Sequence, residues 1–148
     1  MTLKAQILED VKTAMRARDQ KRLTALRLIT AAIKQIEVDQ RIELDDQAVL
    51  AVLDKMVKQR RESLAQYESA GRGDLAAQEQ FELDLISVYL PEALSDEEVA
   101  ALIKQAIADT GASSIRDMGA VMNKLRGEVQ GRADMKAVSS TVKAQLGA

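Results

Sequence analysis

Three glycines, Gly119, Gly127 and Gly131, fall within the segment DMGAVMNKLRGEVQGRADM (residues 117–135), beside Lys124, Arg126, Arg132 and Lys136. The chemistry open to such a set is anion recognition. Glycine bares the backbone, helix amino termini present free amides and a partial positive charge, and Arg and Lys add charge-assisted hydrogen bonds to phosphate. Gly119 stands in the first turn expected of a helix, where glycine costs roughly 1 kcal/mol relative to alanine unless something approaches closely. Two readings account for it. Either two helices pack tightly across a turn for which Gly127 and Gly131 supply positive φ, or Gly119, Lys124, Arg126, Gly131, Arg132 and Lys136 form a shallow phosphate-binding surface. No strand precedes the segment and its spacing fits neither a Walker loop nor a dinucleotide fingerprint.

A second basic group lies in KMVKQRRES, where Lys55, Lys58, Arg60 and Arg61 fall within seven residues. It reads either as a phosphate-contacting face, which the planar fork of arginine suits, or as a solvated helix surface with ion pairs such as Lys58–Glu62. No aromatic residue is interleaved, which argues against sequence-specific reading of single strands. The carboxylates Glu79, Glu82, Asp96, Glu97 and Glu98 are the material for acid–base work, but acid in the first turn of a helix already follows from the helix dipole. Tyr67 and Tyr89 read as core-edge residues with hydroxyls at the surface. The chain has no histidine and no cysteine. That removes the commonest general base, thiolate metal sites and every Ser-His or Cys-His nucleophile. No catalytic residue, cofactor or metal is expected.

The elements that must position these groups are helices. The 148 residues are 47% apolar but only 2% aromatic, so the core is built from Leu, Ile, Val, Ala and Met. Those are residues of helix packing, and an all-α fold follows. Helical stripes run over 3–17 (Leu3, Ile7, Leu8, Val11, Ala14, Met15) and 21–40 (Leu26, Ile29, Ile33, Ile36). A third begins at a cap on Asp45 or Asp46 and continues to about residue 70, burying Val49, Leu53, Met56, Val57, Leu64 and Tyr67. Asp74 suits the cap of a fourth helix over 75–90, which packs Phe81, Leu85, Ile86, Val88 and Tyr89 and stops before Pro91. Ser95 and Glu98 make a capping box for a fifth over 96–109, closed by Gly111. Ser114 with Asp117 starts the sixth, Gly127 ends it, and Asp134 caps a seventh with Val138, Val142 and Leu146 on its buried stripe. The single proline therefore marks a boundary between an N-terminal four-helix domain (1–91) and a C-terminal three-helix domain (92–148).

Charge divides differently from net charge. Residues 1–73 sum to +3 and residues 74–148 to −5, yet after Asp109 six basic residues outweigh three acidic ones. A locally basic surface on an acidic chain can still meet a polyanion. No apolar run approaches the length of a membrane span, and the start MTLKAQILEDVK is unlike a secretory signal. A cytoplasmic location with no membrane partner is expected.

The pieces LRLITAAIKQIE (26–37), KQRRESLAQYESAGRGDLAAQE (58–79), YLPEALSDEE (89–98), DMGAVMNKL and GRADM, followed by the Val138–Leu146 stripe, resemble in order and spacing the YqeY family, stand-alone relatives of the tail of the GatB subunit of tRNA-dependent amidotransferases. The resemblance implies a four-helix bundle followed by a three-helix bundle. It carries the tail's glycine motif onto Met118, Gly119, Val121, Met122, Gly131, Ala133 and Asp134. It also implies tRNA or a tRNA-charging or amidotransferase protein as partner. The family-level activity, carbon–nitrogen ligation with glutamine as amido donor, comes by analogy only, because no segment matches the kinase-like domain. The function expected is a non-catalytic tRNA-binding or amidotransferase-related accessory module. A helical protein–protein adaptor without RNA contact is the alternative.

Overall fold

The computed structural model describes residues 1–147. Among them are seven α-helices and no strand: α1 (Leu3–Arg16), α2 (Gln20–Gln40), α3 (Asp46–Ser69), α4 (Gly73–Ser87), α5 (Asp96–Thr110), α6 (Met118–Val129) and α7 (Met135–Gly147), with a 3-10 turn at Ile115–Asp117 leading into α6. The chain separates into two compact units, Met1–Leu90 and the residues from Pro91 onward.

In the first unit, Ile7, Leu26, Ile29, Val49, Leu53 and Ile86 are fully buried at the centre of one apolar cluster drawn from α1 to α4. Each such aliphatic side chain contributes about 1.5–3 kcal/mol by leaving water. Local chemistry sets the helix starts. Thr2 Oγ1 accepts from Ala5 N at 3.1 Å, Asp19 Oδ1 from Arg22 N at 3.2 Å and Asp45 Oδ1 from Ala48 N at 2.9 Å, each meeting an amide that the helix leaves free.

Several expectations need correction. Leu8 and Met15 sit on the solvent side of α1, because the buried stripe is narrower than the apolar one and runs through Ile7 and Ala14. Leu64 and Tyr67 are only half-buried and lie outside the core cluster. The cap residue of α4 is Arg72, which makes no side-chain cap bond, and Asp74 lies in the first turn, where it pairs with Arg72 at 3.2 Å. The helix ends at Ser87, three residues before the point at which Pro91 would forbid the next turn, so Val88 is exposed and outside it. Tyr89 is buried, and its hydroxyl donates to the Asp10 carboxylate. Burial first, then the hydrogen bond to Asp10 and after it the Asp10 charge, push its ionisation upward from the ordinary phenol value.

Glu37 ties three segments together. Its carboxylate accepts from Lys4 Nζ at 2.8 and 2.9 Å and from Leu44 N at 2.9 Å, joining α1, α2 and the entry to α3. The Lys4 hydrogen bond, then the Leu44 amide, hold its pKa below the usual 4.5. A carboxyl depressed in the folded state stabilises above its unfolded pKa and loses that contribution as pH falls through the folded value. The thermal midpoint is therefore expected to hold near neutrality and to drop in acid below about pH 4.5. Glu37→Gln should melt lower at pH 7 and show a shallower acid slope in a calorimetric pH series; identical slopes would remove Glu37 from the account.

In the second unit, Ile103, Val121, Leu125, Val129, Val138 and Val142 form a separate buried cluster. The expected capping box is present: Ser95 Oγ accepts from Glu98 N at 3.1 Å and Glu98 Oε1 accepts from Ser95 N at 3.4 Å. Gly111 closes α5 in the left-handed region at φ 66. Asp134 Oδ1 accepts from Lys136 N at 3.0 Å at the start of α7, and the stripe of Val138, Val142 and Leu146 faces inward.

Candidate nucleic-acid interface

The glycine-bearing segment 117–135 forms the end of a 3-10 turn, helix α6, a short loop and the start of α7. Asp117 shapes its entrance by accepting from the amides of Ser113 at 2.9 Å and Ser114 at 3.2 Å. Val121, Leu125 and Val129 point α6 into the core, which leaves Gly119, Ala120, Asn123 and Gly127 on its exposed side. Gly127 does not end the helix, which continues to Val129, and it takes no positive φ. Only Gly131 does so, at φ 77, turning the chain between α6 and α7. Residues with a Cβ adopt that conformation at a cost of roughly 1–2 kcal/mol.

Tight packing at Gly119 is not what the glycine provides. A Cβ placed on Gly119 or on Gly127 meets nothing within 4 Å. Both face open space, so the outer side of α6 bares its backbone at two points, on either side of Asn123. Gly127→Ala is expected to raise stability by about 1 kcal/mol, and Gly119→Ala by less, since helix propensity acts there without steric opposition. A chemical-denaturation curve for each variant checks this; a loss of stability would reveal a close approach.

The candidate cations divide into engaged and free. Lys124 turns toward α5 and pairs with Asp109 at 3.7 Å. Arg132 Nε donates to the Glu92 carbonyl at 3.0 Å, and its own carbonyl accepts from Leu94 N at 2.8 Å, so it pins the segment before α5 to the α6–α7 loop. Arg126 Nη1 reaches Asn123 Oδ1 at 3.4 Å. Arg116, Arg126, Lys136 and Lys143 are exposed and make no ion pair among the described residues. Asp117 and Asp134, two of the three acids after Asp109, are directed at backbone amides. Sequence reasoning did not single out Arg116, Asn123 or Lys143; the local basic excess after Asp109 was the only signal for the two cations, and Asn123 had none.

The second basic group divides, with three members on one exposed side of α3 and the fourth turned away. At about 100° per residue, Lys55, Lys58 and Arg61, spaced three apart, fall within an arc of about 120° on the exposed side of α3. Arg60 turns inward, its Nε 3.2 Å from Glu82 of α4, and both side chains are largely buried. The carboxylates behave likewise: Glu82 holds Arg60 and Glu98 closes its capping box.

Curated relatives share the sequence. A protein of Eremothecium gossypii named altered inheritance of mitochondria protein 41, mitochondrial, is 43% identical over 101 residues, covering 66% of this chain and 55% of the relative. Its namesake in Pyrenophora tritici-repentis is 29% identical over 142 residues, covering 94% and 78%. The one in Kluyveromyces lactis is 35% identical over 109 residues, covering 71% and 58%. The match thus spans little more than half of two of these three proteins. Their names overturn the cytoplasmic location expected from the sequence. The features behind that expectation, the charged start and the absence of any helix long and apolar enough to cross a membrane among the described residues, do not separate the cytoplasm from the interior of an organelle. The model of the YqeY-like protein family matches residues 4–146, nearly the whole length, and the chain belongs to that family.

Proposed function

We propose that the chain is a non-catalytic accessory module that binds tRNA through its C-terminal part, contacting backbone and shape and not base edges. The observation that supports this most is the pairing of bare backbone on the outer side of α6 with unpaired cations in the same unit: Arg126 on α6, Arg116 just before it, and Lys136 and Lys143 on α7. A-form RNA offers phosphates and 2′-hydroxyls across a wide, shallow groove, and contacts to them need few aromatics. Within this reading Gly119, Arg126, Gly131 and Lys136 keep the role expected of them. Lys124 and Arg132 act indirectly, by holding the unit together, and Lys55, Lys58 and Arg61 remain only a secondary set. The two units are proposed to be four-helix and three-helix bundles folding as separate domains, 1–91 and 92–148.

The test is filter retention of labelled tRNA across a salt series. About four phosphate contacts give a log–log slope near −3 to −4. Absence of retention at low salt would end the proposal. Glutamine- and ATP-dependent amide formation by the purified chain alone would instead make it an enzyme. The adaptor reading has its own observation in its favour: α2 exposes apolar side chains on the side away from the core.

A further inference from the structure

Helix α2 is apolar on two faces. Its buried side carries Leu26, Ile29 and Ile33. On the opposite side Leu28 is 42% exposed and Val38 61%, with Ala31 exposed between them, and Ile42, just past the helix end, is 49% exposed. Within the helix, positions 28, 31, 35 and 38 alternate steps of three and four, the a and d spacing of a heptad, with Gln35 in the seam. Arg27 and Lys34 lie seven residues apart along one edge of that seam, the g positions, and Arg41 follows at the helix C-cap. All three are exposed and make no ion pair among the described residues.

The acids nearby leave this edge positive. Glu37 is turned to Lys4, with only a longer-range attraction from Lys34; Glu43 also lies 3.8 Å from Lys4, and Asp39 is on the other edge, held by Gln35 Nε2 at 2.9 Å. The helix ends with Arg41 in the left-handed region at φ 54, and Ile42 N returns to Glu37 O at 3.2 Å. That reversal keeps Ile42 beside Val38, where both border a shallow depression of about 400 Å³ whose charged rim is Lys4, Lys34 and Arg41 with Glu37 and Glu43.

We propose that this face docks an amphipathic helix of another protein, one with an apolar a/d seam and acidic residues along the edge that meets Arg27, Lys34 and Arg41. The regular seam favours a helix as occupant, because knobs at a and d fit only another helix of the same period. The unpaired cations select acid on that helix, since opposite charge across a seam sets partner choice. A nucleic acid would need cations across the whole surface it meets, whereas the centre of this face is apolar. A second copy of the chain fits poorly: antiparallel pairing sets cation against cation, and parallel pairing offers only Asp39 to Lys34. The proposal uses residues of the first unit alone and does not depend on tRNA binding by the second.

The experiment uses the full chain and two labelled 21-residue helical peptides, both with Leu at a and d, one with Glu and one with Lys at the flanking positions. Fluorescence anisotropy is expected to show the Glu peptide binding at least tenfold more tightly, in line with a few solvent-edge ion pairs acting together. Arg27→Glu with Lys34→Glu and Arg41→Glu should invert that preference, and Val38→Asp should weaken both peptides. These positions are exposed, so circular dichroism melts should match the wild type and separate a docking defect from a folding defect. Equal binding of the two peptides, or a preference that survives charge reversal, overturns the proposal. A dimer of the chain that Val38→Asp dissociates would assign the face to a second copy instead. RNA retention abolished by the triple reversal, with no peptide preference, would assign it to nucleic acid.

Discussion

Replacing Leu125 with alanine is expected to unfold the second unit while leaving the first intact. Leu125 is 1% exposed and sits in the cluster that joins α5, α6 and α7. Truncating a buried leucine costs about 2–5 kcal/mol, through the forfeited transfer free energy and the cavity left behind. A unit of fewer than 60 residues rarely holds more than about 3–5 kcal/mol in reserve. The two quantities are of the same size, so the substitution removes most of that reserve. The first unit has its own separate core around Leu26, Ile29 and Leu53. Amide hydrogen exchange should therefore lose protection in α5–α7 and keep it in α2 and α3. Simultaneous loss throughout the chain would mean the units do not fold separately, and the domain proposal would fail with it.

The double substitution Arg126→Gln with Lys136→Gln is expected to weaken tRNA retention at least tenfold at low salt. Both side chains are exposed and without a carboxylate partner, so their removal leaves no buried group unsatisfied, and stability should move by no more than about 0.5 kcal/mol. A cation that no longer neutralises its phosphate takes roughly one from the salt slope, so the pair should flatten it by about two. Two controls give this its meaning. Lys124→Gln should change retention little, because that ammonium already faces Asp109. Arg132→Gln should act mainly on stability, by about 1 kcal/mol, since the guanidinium holds the Glu92 carbonyl. If the double variant binds like the wild type, or if all four arginines and lysines contribute alike, the surface proposed is wrong.

How much of the fold is legible in the sequence follows the range of the physics involved. Helix class and most boundaries rest on neighbours within four residues: Asp45 caps α3 and Ser95 and Glu98 cap each other across three positions, while Gly111 stops α5 through its own φ. These are local events, and composition and spacing reveal them. The narrow face of α1 was not legible, because Leu8 and Ile7 are equally apolar and only the neighbouring helices decide which one is buried. Pro91 misled in the same way: it marks where a helix must stop, whereas α4 stops at Ser87 without its help.

The candidate interface divides along the same line. Glycines and cations in residues 117–136 were visible as a set, and so was the cap at Asp134. Their meaning was not. Whether Gly119 fits against a neighbour or faces open space, and whether Arg132 and Lys124 are free or engaged, depend on partners many positions away: Glu92 is 40 residues from Arg132. The acidic and basic residues of α3 and α4 show it again, since Arg60 finds Glu82 only when the two helices meet. Sequence alone determined that this chain is helical, where nearly every helix begins, and that it lacks the side chains of the commonest catalytic machinery. Tertiary structure alone decided which apolar stripe is core and which, on α2, is left to solvent. It also decided which cations remain unpaired, because burial and ion pairing are set by distances in space that no spacing along the chain encodes.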